Sequence, residues 1–186
     1  MRHGQAGNNL DKVIVSEPKE GKAKFGLTRQ GIDQVKKTIR QNKFLSGNFI
    51  IYHSDFKRTT QTAKLVSKTL GIRKVYKTPL LRERFFGQLN GTATKNFILV
   101  WRNDQKDIKH GYAGGESVND VLSRTTKLVA DLEKKYQDKN ILLISHGDTI
   151  EILQAAFLKV DLLKRTKLVK HIKTAELRQL KFKSVA

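Results

Sequence analysis

At 186 residues and 38% apolar composition, the chain is long enough for one domain with a real hydrophobic core and too apolar for a disordered one. It contains no cysteine, which excludes disulfides, thiolate metal sites and a cysteine nucleophile. Its 37 basic and 17 acidic residues give a net charge of +20, which predicts anionic ligands. The basic residues are spread along the chain with no aromatic residues alternating between them, which favours a solvated cationic surface over a nucleic-acid groove.

The opening Met1-Arg2-His3-Gly4 lacks the apolar stretch of a secretory signal, and no apolar run approaches membrane-spanning length. The expectation is a cytoplasmic protein without a membrane partner. Thr28 is placed to cap a helix whose apolar face carries Ile32, Val35 and Ile39 at spacings of three and four. Phe49 to Tyr52 reads as a buried strand. It is followed by a helix with Ala63, Val66 and Leu70 on one face and Gly71 as its stop. Ser117 and Asp120 resemble a capping box ahead of a long amphipathic helix marked by Val121, Leu128, Leu132 and Tyr136. Asn140 to Ile144 reads as a second buried strand, and Ile150, Leu153 and Phe157 line the helix after it. The stretch from Ala175 to Phe182 is expected to be a final strand. Strands alternating with helices predict a layered α/β domain with a mostly parallel sheet, whose ligands bind at the carboxyl ends of the strands. Both strand-to-helix junctions, Ser54 to Arg58 and Ser145 to Thr149, fall there.

Four fragments carry the chemistry: Arg2-His3-Gly4, Ser54 to Arg58, Arg82-Glu83-Arg84 with Gly87, and Ser145-His146-Gly147. Phosphoryl transfer needs a nucleophile, donors for the equatorial phosphate oxygens and an acid for the leaving oxygen. Two histidines, two arginines and a glutamate form such a set. An imidazole is nucleophilic at one nitrogen when the other is held as a donor. Gly4 beside His3 lets backbone and phosphate approach closely, and the planar forks of Arg2 and Arg58 match phosphate oxygens. Glu83 has to be protonated for the leaving group and ionised afterwards, so its pKa is expected to lie above the usual carboxylate range; Arg82 and Arg84 would oppose this if they pointed the same way.

In this order the fragments resemble the histidine phosphatase superfamily, the group that includes the cofactor-dependent phosphoglycerate mutases. The resemblance runs from residue 2 to about residue 160. It implies a three-layer α/β/α sandwich with a mostly parallel central sheet. The nucleophile then falls on His3, the phosphate-binding arginine on Arg58, the proton donor on Glu83 within Leu81 to Gly87, and the second active-site histidine on His146. Gly114-Gly115-Glu116-Ser117 resembles the start of the helix before the last catalytic strand.

Asn9 and Thr28 resemble positions that line the substrate pocket, and Gln5 is a possible phosphate donor, with local turn or capping roles as the alternative. Gly147 completes the His146 motif. His53, His110 and His171 have no motif around them. No His-Glu-x-x-His pattern or carboxylate cluster appears, so neither a metal nor another cofactor is expected. The family places an apolar strand immediately before Arg-His-Gly, whereas only Met1 stands there. Residues 1–186 are therefore expected to form one domain lacking that strand. The short region between Gly91 and Gly114 resembles the phosphatase branch more than the mutases. The expected activity is metal-independent hydrolysis of a phosphomonoester through phosphohistidine, on a small phosphorylated substrate or a phosphoprotein. A mutase-type transfer and an inert phosphate- or polyanion-binding protein are the alternatives.

Overall fold

The computed structural model describes residues 1–180. Among them, β1 (Ile50–Ser54), β2 (Val75–Thr78) and β3 (Ile141–Ile144) form a parallel sheet in the order β2-β1-β3. The helices are α1 (Gly7–Leu10), α2 (Pro18–Ala23), α3 (Arg29–Gln41), α4 (Lys57–Leu70), α5 (Phe97–Asp104), α6 (Val118–Lys135), α7 (Gly147–Phe157) and α8 (Arg165–Leu168). None of these is long and apolar enough to cross a membrane.

The ends of the predicted helices follow local chemistry. The Thr28 side chain accepts from the Gly31 amide at the start of α3, and Ser117 and Asp120 close the capping box of α6. Gly71 ends α4 at φ +68, a conformation that costs glycine little. The marked apolar positions face inward, except Ile32, which is 37% exposed; Tyr136 stands just past the end of α6 and packs against Tyr52. Val35 and Ile39 of α3 and Ala63 and Val66 of α4 pack with Ile51, Leu142 and Ile144 in one core cluster. Leu128 and Leu132 of α6 pack with Ile50 and Tyr52 in another. A parallel sheet covered by helices on both faces is the layered α/β architecture expected.

Two strand assignments need correction. β1 begins one residue later than expected and continues through His53 to Ser54, because its whole length is buried and paired on both edges. No strand forms over residues 175–180: Ala175 sits in a turn at φ +59, a left-handed conformation that extended pairing does not allow. Phe182, the expected end of that strand, lies outside the described residues. β2, which periodicity did not reveal, is a short edge strand with exposed Tyr76 and Lys77.

The amino terminus runs beside the carboxyl end of β3. The Met1 amine donates to the Leu143 carbonyl at 2.8 Å, the Ser145 amide to the Met1 carbonyl at 3.0 Å, and the His3 amide to the Ser145 carbonyl at 3.0 Å. Past Met1, the same edge of β3 borders an apolar groove of about 580 Å³ whose walls include Phe49, Leu132, Leu153 and Phe157. On its other side the Met1–His3 stretch is tied to the turn at Ala175, through Arg2 amide to Glu176 carbonyl (3.0 Å) and Ala175 amide to His3 carbonyl (2.9 Å).

Candidate active site

His3 is buried, and its backbone comes to the carboxyl end of the sheet through the pairing with Ser145. Its Nδ1 lies 2.7 Å from the Gly4 carbonyl, which can only accept, so Nδ1 carries the proton and Nε2 keeps a lone pair. The turn after it depends on close backbone crossing. A Cβ on Gly4 would lie 2.5 Å from the Gly31 carbonyl oxygen, and one on Gly31 would lie 2.0 Å from that of Gln5.

Arg58 and His146 arrive from the two strand-to-helix junctions, Arg58 in the first turn of α4 and His146 as the residue before α7. The Arg58 Nε–H points between two acceptors, His3 Nε2 and His146 Nδ1, each at 3.2 Å. Because His146 Nδ1 accepts, its other nitrogen is the donor, and it meets Ser54 Oγ at 2.9 Å. Arg58 Nη2 donates to the Val15 carbonyl at 3.0 Å, while buried Nη1 has no partner. No carboxylate forms an ion pair with this guanidinium among the described residues. Burial, opposed by Glu83 and reinforced by Arg2, brings its pKa down to about 10. Burial and then the Arg58 charge push both imidazoles well below the ordinary histidine range, so each is neutral at pH 7. The arrangement is a buried cation with an unused donor, set between two neutral rings whose centres are 5.2 Å apart. A buried charge of this kind is costly until an anion meets it.

Glu83 accepts from the Arg84 amide at 3.1 Å and sits beside Thr149, whose amide and hydroxyl lie 3.4 and 3.3 Å from its Oε1. Burial, helped by Asp148, lifts its pKa above the usual carboxylate range against the opposing charges of Arg58 and Arg2. The flanking arginines point elsewhere. Arg82 forms a bidentate pair with Asp55 at 2.8 and 2.6 Å, and Arg84 is directed to Asp104 at 2.7 and 2.8 Å and to Asp148 at 3.2 Å. Arg165 joins the same two carboxylates and completes a buried cluster of two guanidinium groups and two carboxylates. This cluster and Thr149 had no motif to reveal them. The available signal for Thr149 was its place in the first turn of α7, where helix amides lack partners within the helix.

Arg2 donates through Nη1 to the Ile172 carbonyl at 2.6 Å and touches His171, while its buried Nε is unpartnered. A Cβ on Gly147 would lie 3.4 Å from the Arg2 guanidinium carbon, so a glycine there leaves Arg2 room. The softer candidates hold local contacts. Asn9 Oδ1 accepts from the Ala6 amide, and the Thr28 hydroxyl lies 2.8 Å from Gln5 Oε1 as well as capping α3. His53 meets the Ser54 carbonyl, His110 pairs with Asp107, and His171 pairs with Glu151. Among the described residues no group of three or more histidines and carboxylates is arranged to hold a metal ion.

Comparison with known proteins bears on the family and the fold. The chain is 24% identical to a metal-independent phosphoserine phosphatase of Arabidopsis thaliana over 86% of its own length and 66% of that protein's. It is 28% identical to glucosyl-3-phosphoglycerate phosphatase of Mycobacterium tuberculosis, covering 86% and 74%. It thus spans about two thirds of the length of the plant relative. Its fold superposes on a mycobacterial glucosyl-3-phosphoglycerate phosphatase complexed with VO3 at a TM-score of 0.77 and 26% identity, covering 94% of this chain and 87% of the other. A phosphoserine phosphatase of Entamoeba histolytica in complex with 3-phosphoglyceric acid matches at a TM-score of 0.72 and 26% identity, with 89% and 81% covered. The model of the histidine phosphatase superfamily (branch 1) matches residues 1–185, and the chain belongs to that family.

Proposed function

We propose that the chain is a metal-independent phosphomonoester hydrolase in which His3 is the nucleophile. The observation that carries this reading is the buried Arg58 guanidinium, unpaired by any carboxylate among the described residues and holding an unused donor between two neutral imidazoles. An anion would supply both the missing acceptor and the missing counter-charge. A phosphate entering there takes the Arg58 donors away from His3 Nε2 and frees its lone pair. The nucleophile then attacks phosphorus in line, the bond to the leaving oxygen breaks, and Glu83 gives its proton to that oxygen. The reverse assignment serves the second half. Glu83, now ionised, takes a proton from water, the water oxygen attacks the phosphohistidine, and phosphate leaves as the P–N bond breaks.

Arg2, with its free Nε, and His146, once protonated at Nδ1, complete the set of phosphate donors. Gly4 and Gly147 keep the backbone close, and Gln5, Asn9 and Thr28 form the wall beyond them. A small phosphomonoester is the substrate class, in keeping with the phosphoserine and glucosyl-phosphoglycerate named for the relatives. The test is hydrolysis of an aryl phosphate without added metal. Wild-type protein should turn it over and leave an acid-labile phosphoenzyme on rapid quench, and His3→Ala should lose both. Equal turnover by His3→Ala would end the assignment, and transfer to a phosphoglycerate acceptor in place of water would favour the mutase reading.

A further inference from the structure

A second cavity, of about 630 Å³, is lined by residues of α2, the β1–α4 junction, α4 and β2. Its lining contains four lysines drawn from three elements: Lys22 of α2, Lys57 and Lys64 of α4, and Lys77 of β2. The carboxylate in that lining, Asp55, is 3.4 Å from Lys22 but is already held by Arg82 through both of its oxygens. Lys57 reaches the Ala23 carbonyl at 3.3 Å, and Lys64 and Lys77 have no ion-pair partner among the described residues. Four positive groups therefore stand around a single concave space whose one carboxylate is already paired with Arg82 outside the lining. Such an excess of like charge on exposed lysines raises the local concentration of anions.

We propose that this cavity is an anion subsite that receives negatively charged groups of the ligand other than the phosphoryl group transferred at His3. Two features support a site over a merely basic surface. The lysines converge on a concavity within the size range of ligand pockets. They also share the β1–α4 junction with the catalytic groups: Lys57 directly precedes Arg58, and Asp55 directly follows Ser54, whose hydroxyl meets His146. Flexible ammonium groups act as point charges without the fixed fork of an arginine, so the site suits several anionic groups in a row better than one shaped oxyanion. The ligand class is therefore a phosphorylated compound bearing further phosphates or carboxylates. The inference rests on the phosphatase reading only for the identity of the neighbouring site.

The test is titration calorimetry of two probes, inorganic tripolyphosphate as a compact polyanion and a hexa-aspartate peptide as an extended one. Each is measured on wild type, on Lys64→Gln/Lys77→Gln, and on Lys127→Gln/Lys134→Gln, which neutralises two exposed lysines of α6 on the opposite face of the sheet. The cavity variant should bind at least one probe about tenfold more weakly, and its slope of log K against log salt should fall by about two. The probe affected tells whether the anions come from a compact or an extended ligand. Equal losses in the α6 variant, or no loss in the cavity variant, would overturn the proposal, because the attraction would then be diffuse surface charge. The same titrations with His3→Ala protein keep the two claims apart, since binding there is read without turnover.

Discussion

The chemistry of Glu83 depends on which way its neighbours face. Two arginines flank it in sequence, yet both side chains are bound elsewhere, to Asp55 on one side and to Asp104 and Asp148 on the other. Burial and Asp148 are then free to hold its pKa above the usual carboxylate range. In its proposed role as the acid it works only while protonated, so kcat/KM on substrates with a poor leaving group should fall as pH rises through that raised pKa. In Glu83→Gln this fall should vanish and the rate below it should drop by roughly a hundredfold, within the range for general acid catalysis; a pH–rate profile checks both. His3 and His146 bear on stability with the opposite sign. Their folded pKa values are depressed by burial and by Arg58, so their contribution is present above the unfolded histidine value of about 6.5 and is lost as pH falls below it. Urea unfolding from pH 7 down to pH 5 should therefore lose stability, and His146→Asn should lose less over the same window.

At the level of elements, the site is made by chain segments that meet closely. The crossing of Gly31 in α3 with the Gly4–Gln5 turn admits no Cβ, since one at Gly31 would press on the Gln5 backbone. Gly31→Ala should shift the His3 turn, costing more than the small gain that alanine gives a helix interior. Thermal melts should show a lower Tm, and aryl phosphate turnover should fall further than the stability loss explains. Helix caps and apolar faces were legible because each depends on residues within a few positions: Thr28 with Gly31, Ser117 with Asp120, and Gly71 at its own φ. β2 was hidden for the converse reason. An edge strand of four residues, with Tyr76 and Lys77 exposed and Lys74 just before it, has no apolar run to display, and it is defined only by its pairing with β1.

Across the whole molecule, the buried cluster of Arg84, Asp104, Asp148 and Arg165 joins the Glu83 loop to α5, α7 and α8. Burial opposes ionisation of Asp148, but Arg165 and Arg84 outweigh it and hold the carboxyl below its usual range. Removing one member leaves an uncompensated buried charge, so Asp104→Asn should cost about 3–5 kcal/mol in chemical denaturation. Because Arg84 is adjacent to Glu83, the same variant should move the alkaline limb of the pH–rate profile, which a purely global loss of stability would not do.

By itself, the sequence determined the α/β class, the two strand-to-helix junctions and the order of the candidate site fragments, because capping, periodicity and motif spacing are written within a few residues of one another. Only the tertiary structure decided that Arg58 lies between the two imidazoles, that Arg82 and Arg84 turn away from Glu83, and that Ala175 and Glu176 tie down Arg2 and His3 with no strand over residues 175–180. Those outcomes rest on partners tens of residues away, and the direction of a long charged side chain follows the carboxylate or carbonyl it finds there, which local sequence does not encode.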